Sequence, residues 1–195
     1  DVVIVTENGI LFLDPQYTRL PPFLLVYHVH QNFIRKYLKF PLSTIGSFLE
    51  SGLMPWVYRN QKIISISEST RSDLLKFKGF QAGNISVVNP GVSPDLLPKY
   101  QKTVYPSFLY LGRIRPYKKV DVAIRAFAEV VRKYPEARMT IAGEGENLTE
   151  LITLADKMGI SDKVTFTGRV DEEITKPKLL GESWVMIQPS SIEGW

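Results

Sequence analysis

Cysteine is absent from the 195-residue sequence, which excludes disulfides and thiolate metal ligands and fits a reducing, cytoplasmic setting without requiring one. Histidine is scarce: His28 and His30 are the only two. No apolar stretch approaches the ~20 residues a membrane-spanning helix needs; "FLLVY" at 23–27 is among the longest. No D-x-D sequence occurs, so a diphosphate held through a metal on such a pair is not expected. Low-complexity segments and short repeats are also missing, and no signal peptide is expected, since Asp1 runs straight into strand-like "VVIV". That abrupt start leads to the expectation of a piece of a longer chain. Charge is not lopsided either. Residues 1–97 carry 9 basic and 7 acidic side chains and residues 98–195 carry 15 and 13, so the net +4 is evenly spread. No nucleic-acid arm stands out. What remains, 44% hydrophobic and 23% charged residues, is the composition of a globular chain with a sizeable core.

Strand-like runs alternate with helical patterns throughout. In the first half strands are expected at 2–5, 23–27, 62–67 and 85–88, with an apolar helix over 43–59 and a capped one from Ser69 to Phe77. Ser67, Ser69 and Thr70 are all candidate N-caps, and Gly79 is a stop signal. In the second half "SFLYL" (107–111) precedes a helix whose apolar face is Val120, Ile124, Phe127, Val131 and Tyr134, ended by Pro135. Strands at 138–142, 163–167 and 184–188 and helices over 147–158 and 172–181 follow. The last strand, in "WVMIQPS", reads as buried. This alternation predicts an α/β protein of two Rossmann-like parallel-sheet domains facing a cleft. The proline-rich stretch 89–107 marks the boundary, with the connector near 92–105 and the domains at 1–97 and 98–195.

Several residues are candidates for chemistry. Gly112 ends a strand, and Arg113, Arg115, Lys118 and Lys119 follow within seven residues, before a helix amino terminus. The cluster reads either as a solvated basic loop or as an anion site, most naturally for a diphosphate. Gly143 and Gly145 make half of a dinucleotide fingerprint, for which a turn-forming role is the stronger reading. Gly168 turns the chain after another strand, and the backbone groups that follow it could meet a flat base. Asp171 and Glu173 lack a second ligand set and read as an acidic helix start. His28 and His30 close the 23–27 strand, where they suit hydrogen bonding or proton transfer; they could instead chelate a metal, but no carboxylate or cysteine pattern in the sequence supports that. Glu193 follows an apolar strand in "SSIEGW" and reads equally as an exposed terminal residue or a ligand-facing one.

Four passages in order then resemble the retaining GT-B glycosyltransferases of family four: "SISESTRSDLLKFKGFQAGNISVVNPGV", "YLGRIRPYKKVDVAIRAFAEV", "MTIAGEGENLTELITLADKMGISDKVTFTGRVDEEI" and "PSSIEGW". The resemblance covers essentially the whole chain. It implies a nucleotide-diphosphate sugar donor, a sugar, lipid-linked or other hydroxyl acceptor, retention of anomeric configuration, no metal or other cofactor, and no nucleic-acid partner. Residues 1–97 would be the carboxyl-terminal part of an acceptor-side domain, and 98–195 the amino-terminal part of a donor domain. By position, Arg113 and Lys118 match the pair gripping the donor diphosphate, beside Gly112. Gly168, Arg169, Val170 and Asp171 match the loop whose backbone meets the nucleotide base. Glu193 matches the first glutamate of a two-glutamate signature beside the donor sugar. His28 matches a histidine pointing at that sugar, with His30 as the fallback.

The departures carry expectations of their own. Lys119 stands where the family has glycine, so its backbone is expected to avoid positive φ. A second signature glutamate would fall at position 201, past Trp195. The glycine-rich loop and first three strands of the amino-terminal domain have no counterpart. An internal fragment of an enzyme roughly twice as long, inactive by itself and with both sheets incomplete, is the expectation. Rival readings are a non-catalytic nucleotide- or anion-binding module and a GT-B relative such as a sugar-nucleotide 2-epimerase or a phosphorylase. Residues 31–58 interleave Arg35, Lys36 and Lys39 with aromatic and aliphatic side chains. That stretch reads as a peripheral membrane contact or as an ordinary acceptor-side loop and helix packed on the sheet.

Overall fold

Short apolar runs rich in Val, Ile and Leu are suited to parallel strands covered on both faces, and they supply several of the strands among the described residues. The computed structural model describes residues 2–7, 13–91, 100–191 and 193. Two compact units emerge, one of Asp1–Gly91 together with Glu193–Trp195 and one of Val92–Ile192. The expected connector falls largely on residues 92–99, outside the described residues.

In the first unit β1 (Ile4–Glu7), β2 (Phe23–Val26), β3 (Lys62–Ser65) and β4 (Ile85–Val87) form a parallel sheet in that order. The register sets Ile4 against Phe23, Leu24 against Ile63 and Ile63 against Ile85. Leu24, Val26, Met54, Tyr58, Ile63 and Leu74 anchor its core. A short helix not anticipated from the sequence, α1 (Gln31–Tyr37), follows β2. The helix expected over 43–59 is α2 (Leu42–Phe48), a π turn (Leu49–Leu53) and α3 (Met54–Tyr58). Pro55 has no N–H to give to the carbonyl four residues back, which accounts for the widened turn just before it. Of the three hydroxyl candidates, Ser67 caps α4 (Glu68–Leu74): its Oγ accepts from the Thr70 N–H at 3.1 Å. Tyr58 is buried and donates to Asp14 Oδ2 at 3.0 Å; burial, followed by the Asp14 carboxylate, pushes its pKa up.

The second unit contains β5 (Ser107–Leu111), α5 (Val120–Lys133), β6 (Arg138–Ala142), α6 (Leu148–Lys157), β7 (Val164–Gly168), α7 (Thr175–Glu182) and β8 (Val185–Met186). Its parallel sheet runs β7-β6-β5-β8. Ile124 and Phe127 of α5 are fully buried against it, contributing roughly 1.5–3 kcal/mol each. Tyr134, expected to continue the apolar face, lies past the end of α5 and is 45% exposed. The buried strand expected at 184–188 is corrected: β8 is two residues long, and Val185 and Met186 are both about half exposed, because β8 lies at the edge of the sheet.

Candidate functional site

The strand order of the second unit reverses at its middle. The chain leaves β5 for β6 and β7 on one side and then crosses back to lay β8 on the other. The connections leaving β5 and β8 therefore diverge, and in parallel sheets the crevice at such a switch point is where ligands bind. The segments at the carboxyl ends of these two strands are 112–119, the cationic loop, and 187–191, which ends at Ser191. They are tied together. The Ser191 N–H and Oγ both donate to the Tyr117 carbonyl, at 2.8 and 3.1 Å. Glu193, two residues on, is exposed.

The cationic loop is built on backbone bonds. Gly112 N–H donates to the Ala142 carbonyl at 3.0 Å, and Ile114 N–H donates to the Glu144 carbonyl at 2.8 Å. The hydroxyl of fully buried Tyr110 donates to the Arg113 carbonyl at 2.8 Å. Arg113 is exposed and Lys118 half-buried, with its Nζ 5.2 Å from the Tyr117 ring centroid. Arg115 instead pairs with Glu146 at 3.1 Å. The loop ends where the first-turn N–H groups of α5 add their partial positive charge. Lys119 corrects an expectation: it adopts φ 54°, ψ 38°, the left-handed conformation. A side chain there costs about 1–2 kcal/mol. The tight passage from the 3-10 turn Pro116–Lys118 into α5 demands that conformation whether or not glycine is present.

Gly143 and Gly145 do more than turn the chain. A Cβ on Gly143 would sit 1.9 Å from the Gly112 carbonyl oxygen, and one on Gly145 1.7 Å from that of Ile114. The loop after β6 is thus pressed flat against the cationic loop. Gly143 N–H continues the chain of contacts to the Gly168 carbonyl at 2.8 Å, so the carboxyl ends of β5, β6 and β7 are cross-linked through backbone. Beyond Gly168, Arg169 is exposed and Val170 half-buried. Asp171 is a helix-start residue: Oδ1 accepts from the N–H groups of Ile174 and Thr175 at 2.7 and 2.9 Å, and Oδ2 accepts from the Thr175 hydroxyl. The Thr175 side-chain bond, followed by the two backbone bonds, lowers its pKa to about 2. This cap accounts for α7 starting at Thr175 rather than at 172. A groove of about 780 Å³ lies along the flank of α5 and α6, lined by Arg115, Lys119, Arg125 and Lys157 among others. It takes in Arg115 and Lys119 of the cationic loop but not Arg113, Lys118 or the 168–171 loop.

In the first unit His28 and His30 lie in the loop after β2 with ring centroids 4.0 Å apart. The structure also brings two carboxylates to His30 that local sequence did not place there. Its Nδ1 lies 3.2 Å from Glu50 Oε1 and 3.6 Å from Glu7 Oε2. These three residues offer ligand-type atoms within 4.8 Å of one another. Glu50, however, is already engaged: Oε1 accepts from the His30 backbone N–H and lies against its Nδ1, and Oε2 accepts from Gln31 Nε2 at 2.9 Å. The arrangement is a hydrogen-bonded cluster. Sequence reasoning missed it because Glu7 and Glu50 are distant along the chain; the one available signal was a glutamate at the end of an apolar strand and another inside an apolar helix.

Comparison with known proteins bears on both units. The sequence model of the family described as "Glycosyl transferases group 1" matches residues 97–195. The chain is 33% identical over 130 residues to D-inositol 3-phosphate glycosyltransferase 2 of Catenulispora acidiphila, covering 57% of this chain and 30% of that protein. It is 32% identical over 99 residues to alpha-D-kanosaminyltransferase of Streptomyces kanamyceticus, covering 51% of this chain and 25% of the relative. The chain spans less than a third of either relative's length. Among solved structures, WaaG, a glycosyltransferase involved in lipopolysaccharide biosynthesis, superposes with a TM-score of 0.68 at 14% identity, over 93% of this chain and 56% of WaaG. TarM superposes with a TM-score of 0.66 at 18% identity, over 91% and 33%. These likenesses show the fold: Rossmann-like parallel sheets of the GT-B type.

Proposed function

The chain belongs to the glycosyl transferases group 1 family, and from that premise we propose that it serves the transfer of a glycosyl unit from a nucleotide-diphosphate sugar to a hydroxyl acceptor with retention of anomeric configuration. The observation that carries this reading is the switch-point crevice beside β5, flanked by the cationic loop and by the 187–191 segment, which Ser191 stitches to Tyr117. The curated relatives, both named as sugar transferases, support the reaction class.

Each residue has a part in that reading. Gly112 lets the diphosphate approach the backbone, and Arg113 and Lys118 offset the negative charge growing on it as the bond to the anomeric carbon breaks. Such fixed cations do the work of a metal, so no cofactor is needed. Gly168, Arg169, Val170 and Asp171 offer their backbone to the base; the Asp171 carboxylate is spent on capping. Glu193 and His28 hold hydroxyls of the donor sugar. The acceptor oxygen bonds to the anomeric carbon on the face the diphosphate leaves, and its proton passes to the departing phosphate oxygen.

The test is turnover by the natural full-length protein with a panel of nucleotide sugars. The expected result is release of nucleoside diphosphate, a product with the donor's anomeric configuration by NMR, and a rate unchanged by a chelator. An inverted product would overturn retention, and loss of the rate on chelation would overturn metal independence. Nucleoside diphosphate binding without sugar release would favour a binding module. Glu193→Ala is expected to lower kcat about tenfold to a hundredfold with nucleoside diphosphate affinity nearly intact, the pattern of an interaction made mainly in the transition state. Lost affinity with preserved turnover would place Glu193 in the nucleotide site.

We propose in addition that residues 31–58 contact an anionic membrane surface, on the cytoplasmic face. No helix among the described residues is long and apolar enough to cross a membrane. Yet Phe40, Leu42, Ile45, Phe48 and Trp56 are each more than half exposed, beside Arg35, Lys36 and Lys39. Apolar side chains entering the interface and cations meeting lipid phosphates are the two halves of such binding. Co-sedimentation with anionic vesicles, diminishing with salt, is expected. No binding at low salt would remove the idea.

A further inference from the structure

Three elements of the first unit deliver polar side chains to one spot. Glu7 ends β1, His30 precedes α1, and Glu50 sits in the π turn, the kind of helix irregularity that often marks a functional position. Glu7 and Glu50 are only 4% and 6% exposed. Two buried carboxylates at one imidazole are costly unless a cation and hydrogen bonds compensate them, and the local contacts supply both. Burial opposes the charged form of His30, but the Glu50 hydrogen bond and the charges of Glu7 and Glu50 outweigh it and raise its pKa. Gln31 donates to Glu50 Oε2, and Arg35 donates to Gln31 Oε1 at 3.4 Å, linking a second cation to the cluster. The titratable and charged groups around His30 are therefore Glu7 from β1, Glu50 from the π turn, His28 from its own loop, and Arg35 of α1 through Gln31.

The loop carrying both histidines is held at either end. Thr70 Oγ1 of α4 donates to the Tyr27 carbonyl at 3.2 Å, and Glu50 accepts the His30 backbone N–H. Between these anchors the His28 ring packs on the His30 ring at 4.0 Å with 46° between planes. We propose that Glu7 and Glu50 clamp His30 as a positioning residue, whose ring in turn sets the orientation of His28 toward the donor sugar. This rests on the assignment of His28 to the sugar made above. His30 itself touches no substrate. In its protonated form its positive charge answers both carboxylates beside Nδ1; once neutral it keeps at most the one Nδ1–H hydrogen bond and no charge to offer the other, and the clamp loosens. Because the folded pKa of His30 is raised, the clamp is complete below the ordinary histidine range and is lost as pH rises through that raised value.

The experiment is the pH dependence of kcat in the natural full-length protein, for wild type, Glu7→Gln, His30→Gln and His28→Gln, with nucleoside diphosphate affinity measured alongside. Glu7→Gln removes one of the charges raising the His30 pKa, so the alkaline decline of kcat moves to lower pH. His30→Gln lowers kcat about tenfold and abolishes that decline, leaving nucleoside diphosphate affinity unchanged. If both variants keep the wild-type kcat and profile while His28→Gln loses turnover, the clamp is wrong and the sugar assignment stands. If His28→Gln is silent as well, the sugar assignment is what fails. Should a variant fold poorly, the imidazole Cε1–H titration of His30 decides by NMR: a His30 pKa that does not fall in Glu7→Gln overturns the clamp. Stoichiometric binding of Zn²⁺ or Mn²⁺ that perturbs the His30 resonance would overturn it too, in favour of a metal centre.

Discussion

Arg113→Ala in the natural full-length protein is expected to weaken nucleoside diphosphate binding by about 1.5–3 kcal/mol, and Lys118→Ala by a similar amount, the magnitude of a hydrogen bond to a charged group. The reason lies in how the loop is held. Its backbone is pinned by Tyr110 to the Arg113 carbonyl, by Ala142 and Glu144 to Gly112 and Ile114, and by Ser191 to the Tyr117 carbonyl. A loop fixed at that many points cannot rearrange to bring a substitute cation. Arg115 is the internal control. Its guanidinium already pairs with Glu146, so Arg115→Ala should change affinity by much less than either of the other two. Isothermal titration with a nucleoside diphosphate measures all three. Equal affinities for wild type, Arg113→Ala and Lys118→Ala would remove the diphosphate from this loop.

Gly145→Ala should destabilise the second unit by about 3 kcal/mol or more, among the larger effects a single methyl group can have. The new Cβ would lie 1.7 Å from the Ile114 carbonyl oxygen, and backbone on both sides must move to admit it. The loop following β6 would then separate from the cationic loop, breaking the Ile114 to Glu144 bond that holds them together. Denaturant unfolding is the direct measurement. Gly83→Ala serves as the comparison, since a Cβ there meets nothing within 4 Å; it should be neutral or stabilising by up to about 1 kcal/mol. If Gly145→Ala unfolds at the wild-type denaturant concentration, the close approach of the two loops is not as the structure has it. Where it folds at reduced stability, weaker diphosphate binding should accompany the loss, because the same loop carries Arg113.

What the sequence determined by itself is what depends on near neighbours along the chain. The alternation of apolar runs with 3.6-residue periods specified strands and helices, and α5 followed from the spacing of Val120, Ile124, Phe127, Val131 and Tyr134, of which only Tyr134 lies past its end. The cationic run after Gly112 was visible as a run. Ser67 stood among three hydroxyls able to cap α4, and Asp171 read as a helix start, because caps are local. Tertiary structure decided the rest, because parallel pairing and side-chain packing join residues that are far apart. Placing β8 beside β5 rather than beside β7 created the switch point, and with it the meeting of Tyr117 and Ser191. The short, exposed β8 could not be told from a buried strand by hydropathy, since a sheet edge is a property of its neighbours. Lys119 takes a left-handed conformation because the turn into α5 requires it, against the preference of its own side chain. Gly143 and Gly145 read as turn residues until the strand register set their loop against Gly112 and Ile114. The glutamates around His30 came from β1 and from a π turn, and only the folded first unit could place them there. Local periodicity specifies which face of an element is apolar; which elements meet, and what their ends then hold, is set by packing.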